Sequence, residues 1–264
     1  MVYEEARISN LHYVHTWRMF AERAKHGECR EENGVQLAWS MIQTPFFNSA
    51  LLTEPPVSEA AFAATIETAR KFAESRQLPW LFSICQDYIP EDLRPEKEQF
   101  LTTHGLKVSA VFTGMLAEEL AEPVHPLPTD VEFRDFSDER ARYDNALVNL
   151  SCYGMPEQWA REIVDTNTAC TSDDFGCTGY VDGKAVTGAV AMPIDGWLYV
   201  AMVATSDGYR KRGYAEAAMR YCLDAASKAT GIRRTALHAT EAGFPLYQQM
   251  GYRGVTKFLG CVPT

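Results

Sequence analysis

Residues 203–226, VATSDGYRKRGYAEAAMRYCLDAA, constrain this chain more than any other stretch. They read as the end of an apolar strand, a loop of turn formers and cations, and then a helix. Gly208 and Gly213 flank Arg210, Lys211 and Arg212, and Ala217, Ala218, Tyr221, Cys222 and Ala225 follow as an apolar stripe at helical spacing. A helix that begins in glycine and cations points unpaired backbone N–H groups and the positive end of its dipole into the loop. Such a loop suits a multiply charged anion, a pyrophosphate above all. Gly213 lets the backbone approach phosphate oxygens where a Cβ would stand in the way, and Ala215 keeps the first turn small. An ordinary solvated loop is the plainer reading of such residues, and their order has to decide.

That order carries a resemblance. Arg210-x-x-Gly213-x-Ala215 fits the Arg/Gln-x-x-Gly-x-Gly/Ala signature of the GCN5-related N-acetyltransferases, and Val203, Ala204 and Thr205 end the strand before it. Downstream, Thr240-Glu-Ala-Gly-Phe-Pro-Leu-Tyr247-Gln-Gln-Met-Gly251-Tyr252 resembles that family's second landmark, a short helix carrying a Tyr and closing in Gly plus an aromatic. The resemblance implies an α+β fold in three layers, with a mixed, mostly antiparallel sheet whose central strands splay apart to admit the cofactor. It also implies acetyl-CoA as cosubstrate, without a metal, and acetyl transfer to an amine.

Residue roles carry over position by position. Val203, Ala204 and Thr205 match the strand end whose backbone pairs with the pantetheine amides, although Thr205 stands where Val is commoner. Arg210, Lys211, Arg212, Gly213, Tyr214 and Ala215 match the pyrophosphate loop. Tyr247 aligns with the acid that protonates the CoA thiolate, and a phenol with an ordinary pKa of about 10 can do so. The general base stays open. Strand 197–204 has no carboxylate where many relatives carry Glu, which leaves His238 and Glu241, on or just after the neighbouring strand. Thr240 stands where many relatives have Asn. Tyr153, Trp159 and Tyr199 are aromatic candidates for a substrate wall between the helices at 138–167 and the sheet. Each has a plainer reading as a packed ring or a structural histidine.

Composition narrows the partners. The 264 residues suffice for one large domain or two ordinary ones, and the net charge is −10. Residues 1–128 hold 11 Lys+Arg against 18 Asp+Glu and residues 129–264 hold 14 against 17, so both halves are acidic. That disfavours nucleic acid or an anionic membrane and favours amine substrates. No secretory signal or spanning segment is visible. Seven scattered cysteines without a C-x-x-C suggest buried thiols in a reducing cytoplasm. His12 and His15 share a helical face, yet no third ligand joins them. A homodimer is compatible with all of this.

The chain also reads as a tandem. A helix at 8–26, strands at 35–44 and 46–53, a helix at 58–77, a strand at 79–85, a helix at 96–103 and a strand at 108–116 precede three prolines in 121–130, the expected linker. Strand 131–136, helix 138–150, a second helix from Pro156, strands 175–182, 184–192 and 197–204, the opening helix, strand 234–240, helix 243–250 and strand 252–260 follow. The expected domains are therefore 1–120, a degenerate acetyltransferase-like copy, and 131–264, the acetyl-CoA-binding N-acetyltransferase domain. In the copy, Pro55, Pro56, Val57, Ser58 and Glu59 stand where the phosphate loop should be, without its glycine or cations. A single domain with an unrelated helical cap is the alternative.

The expected activity is transfer of an acetyl group from acetyl-CoA to a primary amine of a small molecule or peptide, by direct attack in a ternary complex. A non-catalytic acyl-CoA-binding regulatory protein is the rival. A nucleotide loop is weaker, because the Gly-Lys-Ser/Thr ending is missing.

Overall fold

The computed structural model describes residues 2–264, and the first helix begins at once. Val2–Arg23 (α1) buries Tyr13, Val14, Phe20 and Ala21. Asn33 and Gly34, at φ +50° and +71°, then turn Glu28–Glu32 (β1) back on Val35–Trp39 (β2). Sequence reading missed β1 because it is a charged, mostly exposed edge strand. The Asn-Gly pair was its one signal. Asn48–Leu52 (β3) pairs antiparallel with β2, Glu59–Glu74 (α2) crosses over, and Leu81–Cys85 (β4) returns parallel to β3. Lys97–Thr103 (α3) and Leu106–Ala117 (β5) follow.

The second half opens with a strand and two helices and then repeats the order of three strands, helix, strand, helix and strand. Glu132–Asp135 (β6), Glu139–Cys152 (α4) and Gln158–Asp165 (α5) lead to the hairpin of Phe175–Val181 (β7) and Lys184–Ile194 (β8). Asp138 caps α4, its carboxylate accepting from Arg140 N at 2.8 Å. Trp197–Thr205 (β9) pairs antiparallel with β8, Tyr214–Thr230 (α6) crosses over, and Thr235–Ala239 (β10) returns parallel to β9. Phe244–Gln249 (α7) and Arg253–Pro263 (β11) close the chain. Each half is thus α+β, mostly antiparallel with one parallel pair bridged by a helix, as a parallel connection requires.

Two compact units emerge, and their limits differ from the expected domains. One comprises residues up to 115 with 239–242 and 254–264; the other comprises 116–238 and 243–253. In the first, strands run β1-β2-β3-β4-β11-β5; in the second, β10-β9-β8-β7-β6. The last strand, expected within 131–264, instead pairs antiparallel with β4 from Phe258↔Cys85 to Cys261↔Phe82. Phe258 sets its ring 5.2 Å from Tyr13, and Ser109 Oγ donates to Gly260 O at 3.2 Å. Alternation marks a strand but carries no signal for its partner. The expected linker, 121–130, likewise belongs to the second unit: Ala121 N donates to Met250 O at 2.9 Å and Arg220 Nη2 to Ala121 O at 2.6 Å.

The α6 stripe is also turned relative to the expected one. Ala217, Ala218 and Cys222 are buried, but Met219, Leu223 and Ala226 complete the face. Ala225 is exposed, and Tyr221 lies outward with its ring 5.1 Å from Phe133. Small alanines on both sides of the helix blur its apolar face in sequence. All seven cysteines are free thiols. Among the described residues no group of three or more His, Cys, Asp or Glu could hold a metal, and no helix is long and apolar enough to cross a membrane.

Candidate active site at the end of the parallel pair

Strand β9 is held on one side and released on the other. Its ladder with β8 runs from Ile194↔Trp197 to Thr187↔Thr205. Its ladder with β10 covers only Thr235↔Leu198 to Leu237↔Val200. Residues 201–205 thus extend beyond the parallel pair, and Ala201, Met202, Val203 and Thr205 are half-buried rather than core. The change coincides with a bulge. Register shifts between Gly188 and Val190, and Met202 takes φ +54°. A β-bulge bends and twists its strand, so the Met202 bulge is where β9 leaves the line of β10. An extended, unpaired edge is a template for the amides of an incoming extended group.

The loop after β9 ends in an open helix terminus. Arg210 is extended, Lys211 sits at φ +61°, and Gly213, at φ +82°, is the N-cap of α6 with no side chain bonded to the first turn. The left-handed conformation costs an L-residue roughly 1–2 kcal/mol, so glycine suits position 213. The first α-helical bond is Ala217 N to Gly213 O, 3.0 Å, and the N–H groups before it have no intrahelical acceptor. The cations divide their work. Arg210 stays within the loop, its Nη2 2.8 Å from Asp207 Oδ1 and its Nε donating to Thr205 O at 3.0 Å. Arg212 and Lys184 lie 5.6 and 5.5 Å from the centre of the Tyr209 ring. Lys211 and Arg212 are exposed, and Ala215 is half-buried behind buried Tyr214. Glu216, the acid of the first turn, is matched by Arg220 at 2.8 Å.

Tyr247 is seated by a glycine. A Cβ on Gly243 would meet Tyr247 Cε2 at 2.8 Å, so only glycine at the head of α7 leaves room for the ring. Tyr247 is buried and its ring lies 6.0 Å from that of Tyr252. Burial, with the Tyr153 and Tyr252 phenols beside it, pushes the Tyr247 hydroxyl above its ordinary pKa. It therefore remains protonated at neutral pH. Tyr153, at the end of α4, is 48% exposed. The preceding Cys152 directs its Sγ at Thr205 O, 3.5 Å away, so the end of α4 joins the tip of β9 to the Tyr153–Tyr247 pair.

The candidate bases separate. His238, half-buried on β10, shares a 2.8 Å hydrogen bond between its Nδ1 and the Tyr199 hydroxyl on β9. Tyr199 is 1% exposed and packs as a core side chain facing His238, not as an open aromatic wall. Glu241 is an exposed turn residue grouped with the first unit. Trp159 is half-buried at the start of α5. The Met202 bulge, Cys152 and the linker contacts to the loop had no mark in the sequence.

Residues 141–252 match the Acetyltransferase (GNAT) family. A GCN5-related N-acetyltransferase from Kribbella flavida superposes with a TM-score of 0.67 at 18% identity, covering 98% of this chain and 95% of that one. A conserved protein of unknown function from Staphylococcus epidermidis gives 0.62 at 13% identity, over 89% and 92%. A tandem GNAT protein from the clavulanic acid biosynthesis pathway gives 0.54 at 13% identity, over 86% and 77%. At these identities the superpositions establish the fold. No curated protein matches the sequence.

Proposed function

We propose, from the match of residues 141–252 to the GNAT acetyltransferase family, that this chain is an N-acetyltransferase that moves the acetyl group of acetyl-CoA to a primary amine of a small molecule or peptide. The observation that carries the reading is the stretch of β9 beyond its parallel partner, residues 201–205, leading through the loop at 206–212 to the uncapped N-terminus of α6. Together they offer peptide-like hydrogen bonds for a pantetheine arm and a positive helix end for a pyrophosphate. Acetyl-CoA supplies the activated acetyl thioester; everything else is the work of this chain.

Val203, Ala204 and Thr205 bind through their backbone, and the N–H groups from Arg210 to Ala215 hold the pyrophosphate, Gly213 allowing close approach. Helix-end attraction is worth about 0.3–1 kcal/mol when exposed and up to ~2 kcal/mol when partly buried. Lys211 and Arg212 add positive charge. Tyr247, kept protonated by burial, gives its proton to the departing thiolate. The ammonium of the acceptor must first lose a proton. His238 is the base we favour, because the Tyr199 hydroxyl fixes its ring, whereas Glu241 falls in the first unit. Direct attack in a ternary complex fits a chain in which no cysteine is needed as an acyl carrier. Tyr153, exposed beside Tyr247, is the wall residue the geometry favours. The first unit, in this reading, is a degenerate copy that binds no CoA.

Calorimetric titration with acetyl-CoA tests the site, and one site per chain is expected. Release of CoA thiol against a panel of amines, compared between wild type and Tyr247→Phe, tests the chemistry. Tight binding without Tyr247-dependent turnover would leave a non-catalytic acyl-CoA-binding regulator in its place.

A further inference from the structure

The proline-rich segment does more than join two halves. A Cβ on Gly213 would lie 3.2 Å from Pro128 Cδ, so the segment passes directly over the left-handed N-cap of α6. Two residues on, Asp130 Oδ2 accepts a 2.7 Å hydrogen bond from the Tyr214 hydroxyl, at the first residue of the helix. Next, Val131 packs into a small apolar cluster of Val181, Val186 and Tyr214, which Tyr209 of the loop also joins. Further back, Arg220 ties Ala121 O to the middle of α6. Contacts from Pro128, Asp130 and Val131 thus fall on the end of the loop and the first residue of the helix, from a segment whose sequence reads only as a spacer.

The loop needs such support. Lys211 and Gly213 both hold positive φ, a conformation that an unrestrained loop would populate little. The end of α6 has no side-chain cap of its own. An anion site made of backbone N–H groups works only if those groups already converge. Arg212 stands over Tyr209, so the cluster that includes Tyr209 also fixes this cation.

We infer that residues 128–131 clamp the anion loop, with Tyr214 and Asp130 as positioning residues for the pyrophosphate of the cosubstrate. The inference rests on the acetyl-CoA reading above and adds a specific prediction to it. The clamp acts only where phosphate binds, and it does so through one hydroxyl and one carboxylate. The carboxylate itself is an anion near the loop, so its service is as a hydrogen-bond acceptor, not as a charge.

The test uses the full chain titrated with acetyl-CoA and with ADP, which shares the pyrophosphate and lacks the pantetheine arm. Tyr214→Phe keeps the ring in its cluster and removes only the hydroxyl. It should weaken both ligands by the same factor, about three- to tenfold, with an unchanged melting temperature. Asp130→Ala should match it, and the double variant should be no worse than either single one. Asp130→Asn keeps an acceptor without the charge and should bind as wild type does or more tightly. Unchanged affinity in Tyr214→Phe and Asp130→Ala, beside a wild type that binds acetyl-CoA, would overturn the clamp alone. A loss for acetyl-CoA but not for ADP would also overturn it, by placing the effect on the arm. Wild type that binds neither ligand would overturn the clamp together with the acetyl-CoA reading.

Discussion

The two units place a helix at the same point of the same topology and finish it in opposite ways. Helix α2 follows β3 and precedes its parallel partner, as α6 follows β9 and precedes its own. Ser58 closes α2, its hydroxyl accepting from Ala61 N at 3.1 Å, whereas Gly213 leaves α6 open. The strands differ in the same sense. The β3–β4 ladder reaches Leu51↔Ser83, and β3 ends one residue later at Leu52, whose carbonyl accepts from Asn10 Nδ2 at 3.0 Å. Strand β9 instead extends over residues 201–205 past its last parallel pair. A shared topology therefore does not make a site. What differs is the helix N-cap, closed by a serine side chain in the first unit and left to glycine in the second, and the length of strand that runs past the last parallel pair.

The largest expected effect falls on Tyr247, the proton donor of the proposed chemistry. Tyr247→Phe should lower turnover by about 10²–10⁴-fold while acetyl-CoA affinity stays unchanged. Because burial holds the phenol above its ordinary value of about 10, Tyr247 should cause no loss of turnover below about pH 10. Rate profiles against pH for wild type, with titration of both proteins, check this. A turnover unchanged by the substitution would remove the acid role. Next comes Gly213→Glu, which forces a side chain into φ +82° and sets a carboxylate against phosphate. Acetyl-CoA affinity should fall about a hundredfold. The same charge introduced beside the other helix, Val57→Glu, should leave binding as it is, since Val57 is 96% exposed next to a closed cap. Loss of binding in both variants would erase the contrast between the helices.

The parts of this site that were legible in the sequence are the local ones. Glycine, cations and an alanine at fixed offsets define the α6 terminus within a few residues, and Gly243, Tyr247 and Gly251 define α7 in the same way. Apart from β1, the helix-strand order followed from periodicity and turn residues. What was hidden depends on distant partners. Met202 has no side-chain feature that demands positive φ; the bulge arises from how β9 meets β8 on one side and leaves β10 on the other. Tyr199 read as a wall because an aromatic on a strand carries no mark of which face it takes, and here it takes the buried one. Arg233 and Arg234 end one loop and Asp130 another, yet only Asp130 reaches the anion loop, through a hydroxyl 84 residues away in sequence. The destination of β11 was hidden for the same reason: a strand's alternation fits several neighbours.

The smallest effect concerns the closed helix. Ser58→Ala removes the N-cap of α2 and should lower stability by about 1 kcal/mol, read as a shift of the denaturation midpoint, whereas Ser58→Gly should cost only a few tenths. Neither variant should create a second acetyl-CoA site. Opening the helix end supplies donors for phosphate, but β3 ends one residue past its last parallel pair, whereas β9 runs on over residues 201–205. Glu54 and Glu59 also bracket the turn with negative charge where the second unit has Arg210, Lys211 and Arg212. A calorimetric stoichiometry of one site per chain in wild type and in Ser58→Gly would mean that helix end and strand edge are both required. A second site appearing on removal of the cap would mean that the hydroxyl of Ser58 alone separates the two halves, and that β3 needs no more edge than it has.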